Sequence, residues 1–217
     1  MKPLFFFLFS ILLMSACQSE IAIDKDKVIA VLGEYGKQNP ENEVIISTQF
    51  GDINIRLYNE TPLHRASFIR NIKLGYYTNR DFYRIVKGVC LQGGSKTDPQ
   101  DFTIPAEFNP NLLHTRGALS MARYTENNPK KESSATEFFI ITKGVYYNAE
   151  ELAKYSPENR KKYLEKGGEM LFDNDYTTFG QVTKGIEIVE KLAKTNLSDI
   201  ETPNRPLPFS IKVVSQQ

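Results

Sequence analysis

The residues of this chain whose types and spacing could do chemistry fall into three blocks. The first, Phe82-Tyr83-Arg84-Ile85-Val86-Lys87-Gly88-Val89-Cys90-Leu91-Gln92-Gly93-Gly94, sets an Arg eight residues before a Gln-Gly-Gly corner inside an apolar run. The second extends from Glu107-Phe108-Asn109-Pro110 through Gly117-Ala118-Leu119-Ser120-Met121-Ala122 to Glu137-Phe138-Phe139-Ile140, and the third joins Phe172-Asp173 to Tyr176-Thr177-Thr178-Phe179-Gly180. Arg brings a permanent charge and a planar fork of donors, so it suits non-covalent stabilisation of a charge that develops during a reaction. Taken alone, Arg84 reads as a surface charge on a half-exposed strand, and Met121 and Phe139 read as core residues.

The alternatives to such chemistry are thin. His64, placed on the polar side of a helix, and His114, in a loop, have no Cys or acidic cluster at ligand spacing, so no metal site is expected. No Ser–His–Asp or Cys–His set can be assembled, and Cys90 among apolar neighbours reads as an inert buried thiol. Gln92-Gly93-Gly94 lacks the Lys-Ser/Thr of a phosphate loop, and no nucleotide cofactor is expected.

Short apolar strands must carry these blocks. Val44, Ile46 and Thr48, a Gly51-Asp52 turn, and then Ile53, Ile55 and Leu57 spell a hairpin. Thr61 as N-cap, Pro62 at the first helical position and Leu63, Ala66, Ile69 and Ile72 on one face predict a helix that Gly75 ends. Strands follow near 82–86, 89–92, 117–122, 138–142 and 179–182, with a second helix over about 186–194 and a closing strand over 209–214. So many short strands imply a sandwich or a barrel.

The three blocks resemble the cyclophilins, the prolyl cis/trans isomerases, in the same order and spacing, and with their flanking elements the resemblance covers roughly 43–214. It implies a mainly β fold: a closed eight-stranded antiparallel barrel capped by two helices. It also implies catalysis without a covalent bond or a cofactor. Rotation about an X-Pro bond faces a barrier of roughly 18–20 kcal/mol from amide resonance. A donor placed where the prolyl nitrogen gains a lone pair in the twisted state lowers that barrier. By motif match Arg84 is this donor and Gln92 a second polar contact. Phe82, Met121, Phe139, Phe172 and Tyr176 would line the proline pocket, with Glu137 beside them and Ala122 and Arg123 on the strand that pairs with the peptide. Val89 stands where the family usually has Phe, and Cys90 where it usually has Met. Each loss removes apolar contact worth about 1–2 kcal/mol of binding. Leu171 stands at the position whose Trp indole binds the immunosuppressant cyclosporin. The competing reading is a module of the same fold that holds proline segments with weak or no turnover.

Between about 147 and 168 lies material that a minimal cyclophilin would not carry. Asn148 with Glu151, and Ser156-Pro157 before Arg160, Lys161, Lys162, Tyr163 and Leu164, predict one or two short helices. The segment is either a solvated decoration or a contributor to substrate choice.

The chain has 217 residues, enough for one ordinary domain plus extras, and 27 Lys+Arg against 26 Asp+Glu leave no general electrostatic case for nucleic acid. Lys2, the apolar run from Leu4 to Met14 and small residues up to Cys17 read as a secretory leader too short to span a bilayer. Met14-Ser15-Ala16-Cys17 resembles a bacterial lipobox, which implies a signal peptide over 1–16, acylation at Cys17 and an envelope location. Residues 17–42 are then expected as tether plus a marginal helix on the short apolar patch at 28–32, and 43–217 as a monomeric domain that binds proline-containing segments. An acylated Cys17 leaves Cys90 without a disulfide partner, so stability must come from packing.

Overall fold

In the computed structural model, which describes residues 22–94, 100–142 and 147–214, strand alternation resolves as a barrel. The chain enters through a one-turn 3-10 segment and helix α1 (Val28–Gln38), then forms the hairpin β1 (Glu43–Thr48) and β2 (Gly51–Leu57), helix α2 (Pro62–Lys73) and strands β3 (Arg80–Val86) and β4 (Cys90–Gly94). It continues through β5 (Thr103–Ile104), β6 (Ala118–Met121), β7 (Ser133–Ser134), β8 (Phe138–Ile141), helix α3 (Pro157–Lys166), β9 (Thr177–Lys184), helix α4 (Ile186–Ala193) and β10 (Pro208–Val213). The closed order is β1-β10-β3-β4-β8-β6-β9-β2, antiparallel throughout, with β5 and β7 paired separately.

Closure removes the sheet edges, and period-two alternation sends one face of every strand inward. The interior holds Ile46, Ile53, Ile55, Leu119, Ile140 and Phe179, with Phe82, Phe138 and Phe209 in tilted and edge-on ring contacts. Helix α2 closes one end with Ala66, Phe68 and Ile69 fully buried, and α4 adds Val189 and Leu192.

The marginal helix expected at the 28–32 patch is present and longer, α1 running over Val28–Gln38 and packing on α2. Val28, Leu32 and Gly36 form a buried i, i+4, i+8 row against α2. Glycines at 33 and 36 weaken a helix in isolation by about 1 kcal/mol each. At Gly36 the bare α-carbon is what permits contact, because a Cβ there would stand 3.1 Å from the Ala66 Cβ. The Arg65 guanidinium donates to the Gly36, Asn39 and Glu41 carbonyls, and the Lys73 ammonium reaches Glu41, so the connection to β1 is tied down too. The leader and Cys17 lie outside the described residues.

Thr61 is the N-cap and Pro62 opens α2 as expected, but the Thr61 side chain makes no cap bond and the Glu107 carboxylate accepts from the Leu63 and His64 amides; the other polar expectation there is corrected. His64 is fully buried rather than on a polar face, its Nδ1 2.6 Å from Glu107 and its Nε2 2.9 Å from the Ser133 hydroxyl. A distant carboxylate that caps the helix also satisfies the imidazole, which is why burial costs this His little.

Candidate active site

Strand register assembles the site. Arg84 pairs with Gln92 across β3–β4, and Gln92 pairs with Phe139 across β4–β8, so the three stand in a row on the outer face of the barrel wall. Directly opposed residues lie about 5 Å apart, which brings a guanidinium, an amide and a ring into one surface. A regular strand would put Phe82 on the same face as Arg84. A bulge between Phe82 and Arg84 breaks that alternation, sends Phe82 into the barrel interior and turns Tyr83 toward the row. Met121, paired with Phe138, also faces inward and is fully buried. Phe82 and Met121 are therefore core residues, not pocket walls.

Outside the wall a second apolar cluster forms. Cys90, Ala122 and Phe139 pack with the partly buried Val89, Phe172 and Tyr176. The Phe139 ring meets Phe172 and Tyr176 edge-on at centroid distances of 5.7 and 5.4 Å. These residues make a ring-rich apolar cluster beside the polar row. Burial pushes the Cys90 thiol up to about 12, so it stays protonated and unreactive. Leu171 is 73% exposed on the rim, in a short 3-10 turn, and forms no wall. The expectation that Ala122 pairs with a peptide is also corrected. Strand β6 ends at Met121, while the Ala122 amide already donates to Glu137 and its carbonyl accepts from Ser134. The Arg123 side chain braces the turn before β9, donating to the Asp175 carbonyl and carboxylate with its guanidinium 5.1 Å from the centre of the Tyr176 ring.

The polar row is held by two carboxylates. Arg84 Nη1 donates to Gln92 Oε1 at 3.0 Å, and Arg84 Nε donates to Glu201 Oε2 at 2.6 Å. Glu201 sits in the loop after α4; its carbonyl accepts from the Ile85 amide and its own amide is held by Asp199. The hydrogen bond from Arg84 to Glu201 raises the guanidinium pKa further, fixing its charge. Gln92 Nε2 faces the other way, donating to the Tyr83 hydroxyl and to Glu137 Oε2. Glu137 also accepts from the Tyr83 and Tyr124 hydroxyls. Burial first, then the bond to Glu137, pushes the Tyr83 phenol well above its usual range, so it remains a donor. Gly94 makes this possible, since a Cβ at its φ of 109° would lie 2.4 Å from the Thr136 carbonyl oxygen and push the Glu137 segment off β4.

Behind the rings lies a buried network with no counterpart in the sequence reading. Asp173 Oδ1 accepts from the His114 amide and, at 2.8 Å, from His114 Nδ1, while Oδ2 accepts from the Tyr155 and Tyr163 hydroxyls at 2.6 Å each. Burial alone would raise the Asp173 carboxyl, but the bonds from His114, Tyr155 and Tyr163 outweigh it and hold the group below its ordinary value. His114 stacks nearly parallel to Phe139 and edge-on to Phe172. Asp173 thus sets the ring that sets the pocket. The inserted segment supplies both tyrosines: α3 starts at the expected Ser156 cap, Leu152 and Tyr163 are fully buried, and the reciprocal Asn148–Glu151 bonds form over turns rather than a helix. Among the described residues no group of His, Cys, Asp and Glu could hold a metal ion.

An aromatic cluster flanked by a permanently charged donor suits the binding and polarising of a neutral group without a covalent bond. Residues 43–215 match the family model for cyclophilin type peptidyl-prolyl cis-trans isomerases. Among curated proteins, one of Staphylococcus aureus (strain USA300) assigned to the peptidyl-prolyl cis-trans isomerases is 30% identical, over 76% of this chain and 88% of its own length. Peptidyl-prolyl cis-trans isomerase A of Dickeya dadantii is 28% identical over 80% and 85%. Among solved structures, a Cryptosporidium parvum cyclophilin type isomerase aligns at TM-score 0.61 and 22% identity, over 82% of this chain and 99% of its own; a form studied in the presence of the dipeptide Ala-Pro aligns at 0.59. The chain belongs to the cyclophilin-type peptidyl-prolyl cis-trans isomerases.

Proposed function

We propose that this isomerase turns over X-Pro bonds in segments of folding proteins at a bacterial cell envelope, with Arg84 as the catalytic donor. The observation that carries this reading is the Arg84–Gln92–Phe139 row. The Arg84 Nε is engaged by Glu201 and one Nη1 proton by Gln92, which leaves the Nη2 side of the fork for a substrate. A proline ring seated against Phe139, Phe172, Tyr176 and Val89 puts its nitrogen toward the guanidinium. As the amide twists, the nitrogen becomes pyramidal and gains a lone pair, and the fixed charge stabilises that state more than the planar ground state. No bond to the protein forms, and no cofactor takes part. A protease-coupled isomerisation assay on a short X-Pro peptide tests the reading; a rate equal to buffer would refute it.

The envelope location rests on Lys2, the apolar run to Met14 and the lipobox-like Met14-Ser15-Ala16-Cys17. Among the described residues no helix is long and apolar enough to cross a membrane, so acyl chains on Cys17 would be the tether. With residues 22–42 folded onto the barrel, that tether is short and keeps the domain close to the bilayer. Cys17→Ala is expected to move the protein from the membrane to the soluble fraction of cells. A processed, unacylated form that stays with the membrane would contradict the tether.

A further inference from the structure

A cleft of about 350 Å³ adjoins the Phe139 ring cluster, with Tyr176 common to both. One wall is the 108–113 segment with Phe108 and Asn111, and the other is the inserted segment with Lys154, Tyr155 and Asn159; Asp173 and Tyr176 line the floor between them. The two walls are tied together by the Asn159 side-chain amide, which donates to the Pro110 carbonyl at 2.8 Å. Its volume lies at the lower end of the roughly 300–1,000 Å³ usual for ligand sites.

From this geometry we infer that the cleft is a second subsite, which takes the residues flanking the proline of an extended polypeptide. The inference rests on the isomerase reading of the neighbouring pocket. Three observations select this occupant. Tyr176 belongs both to the proline pocket cluster and to the cleft lining, so a chain leaving the pocket across that ring enters the cleft. The lining combines the rings of Phe108, Tyr155 and Tyr176 with the side chains of Asn109, Asn111 and Asn174, which suits an apolar side chain on a backbone that needs hydrogen-bond partners. Other ligands are poorly served: Asp173 has both carboxylate oxygens filled by four donors, so it offers a cation nothing, and Lys154 is the one cationic residue in the lining. The insertion then has a physical task. Burying Leu152 and Tyr163 against Leu113 holds the wall rigid, and the Tyr155 and Tyr163 hydroxyls lock it to the same Asp173 that sets His114 behind Phe139.

The test compares an acetylated, amidated Ala-Ala-Pro-Ala peptide with peptides that extend it by six residues, leucine among them, on either side. Catalysed cis/trans exchange is measured by NMR at subsaturating peptide, giving kcat/KM without a protease. Extension on one side is expected to raise kcat/KM about tenfold, the ratio that about 1.4 kcal/mol gives. Phe108→Ala and Lys154→Glu, both exposed positions, are expected to erase that gain and leave turnover of the short peptide unchanged. No gain on extension, or a gain that survives in both variants, overturns the inference. Absence of turnover for the short peptide itself would count against the isomerase reading instead.

Discussion

Two networks flank the same site, one built around an ion pair and the other around a histidine–carboxylate hydrogen bond, and they differ in exposure. Arg84 and Glu201 keep 43% and 37% of their side chains exposed, whereas His114 and Asp173 keep 1% and 8%. The exposed pair is worth little to stability, about 0–1 kcal/mol, because water screens it and the long side chains lose freedom. That would suit the catalytic role proposed for Arg84, since its remaining donors stay available to a substrate. The buried pair is different. Breaking it strands donors that water cannot reach, so it fixes the His114–Phe139–Phe172 stack. On the proposed mechanism, one network does the chemistry and the other fixes the geometry.

The sharpest way to break the comparison is at Asp173. Asp173→Ala removes the acceptor shared by the His114 Nδ1 and the Tyr155 and Tyr163 hydroxyls, and is expected to cost about 3–5 kcal/mol of stability by chemical denaturation. Asp173→Asn keeps part of the network and should cost less. Because the folded Asp173 carboxyl lies below its ordinary value, its contribution is full above the unfolded value of about 3.9 and is lost as pH falls through the folded one. The stability gap between wild type and Asp173→Asn should therefore narrow below about pH 4. A gap that does not change with pH would contradict a charged Asp173.

A smaller effect is expected with cyclosporin. Leu171 offers no indole N–H and stands out in solvent, and a lost hydrogen bond to a buried ligand carbonyl costs about 1–3 kcal/mol. Inhibition should be at least tenfold weaker than for Trp-bearing relatives. Nanomolar-class inhibition would show that Leu171 does not occupy the Trp position.

The smallest effect is at Glu201. Glu201→Ala should lower kcat about threefold with KM unchanged, as expected for an exposed partner worth a fraction of a kcal/mol, and Glu201→Gln should restore most of it through the Nε hydrogen bond. A rise in activity on removing Glu201 would mean that the carboxylate restrains Arg84 rather than positioning it.

The barrel was legible in the sequence because alternation and turn residues report on strands locally, and the Arg84–Gln92–Phe139 row because strand pairing preserves motif spacing. What escaped depends on partners distant in sequence. Glu201 lies 117 residues from Arg84, in a loop without a motif. His64 and His114 looked isolated because Glu107 and Asp173 meet them only in the fold. The bulge at Tyr83, which sends Phe82 inward, leaves no mark in composition. Helix α1 was underrated because its two glycines hide a buried row that only α2 completes.

The central claim is that Arg84 acts in the transition state and contributes little to the fold. Kinetics and thermal unfolding of Arg84→Ala, on one preparation, test both halves. The account predicts a fall in kcat/KM of about 10²–10³, the usual effect of losing one transition-state donor, with an unchanged thermal midpoint. Activity within a factor of about three of wild type, less than 1 kcal/mol of barrier, would contradict it.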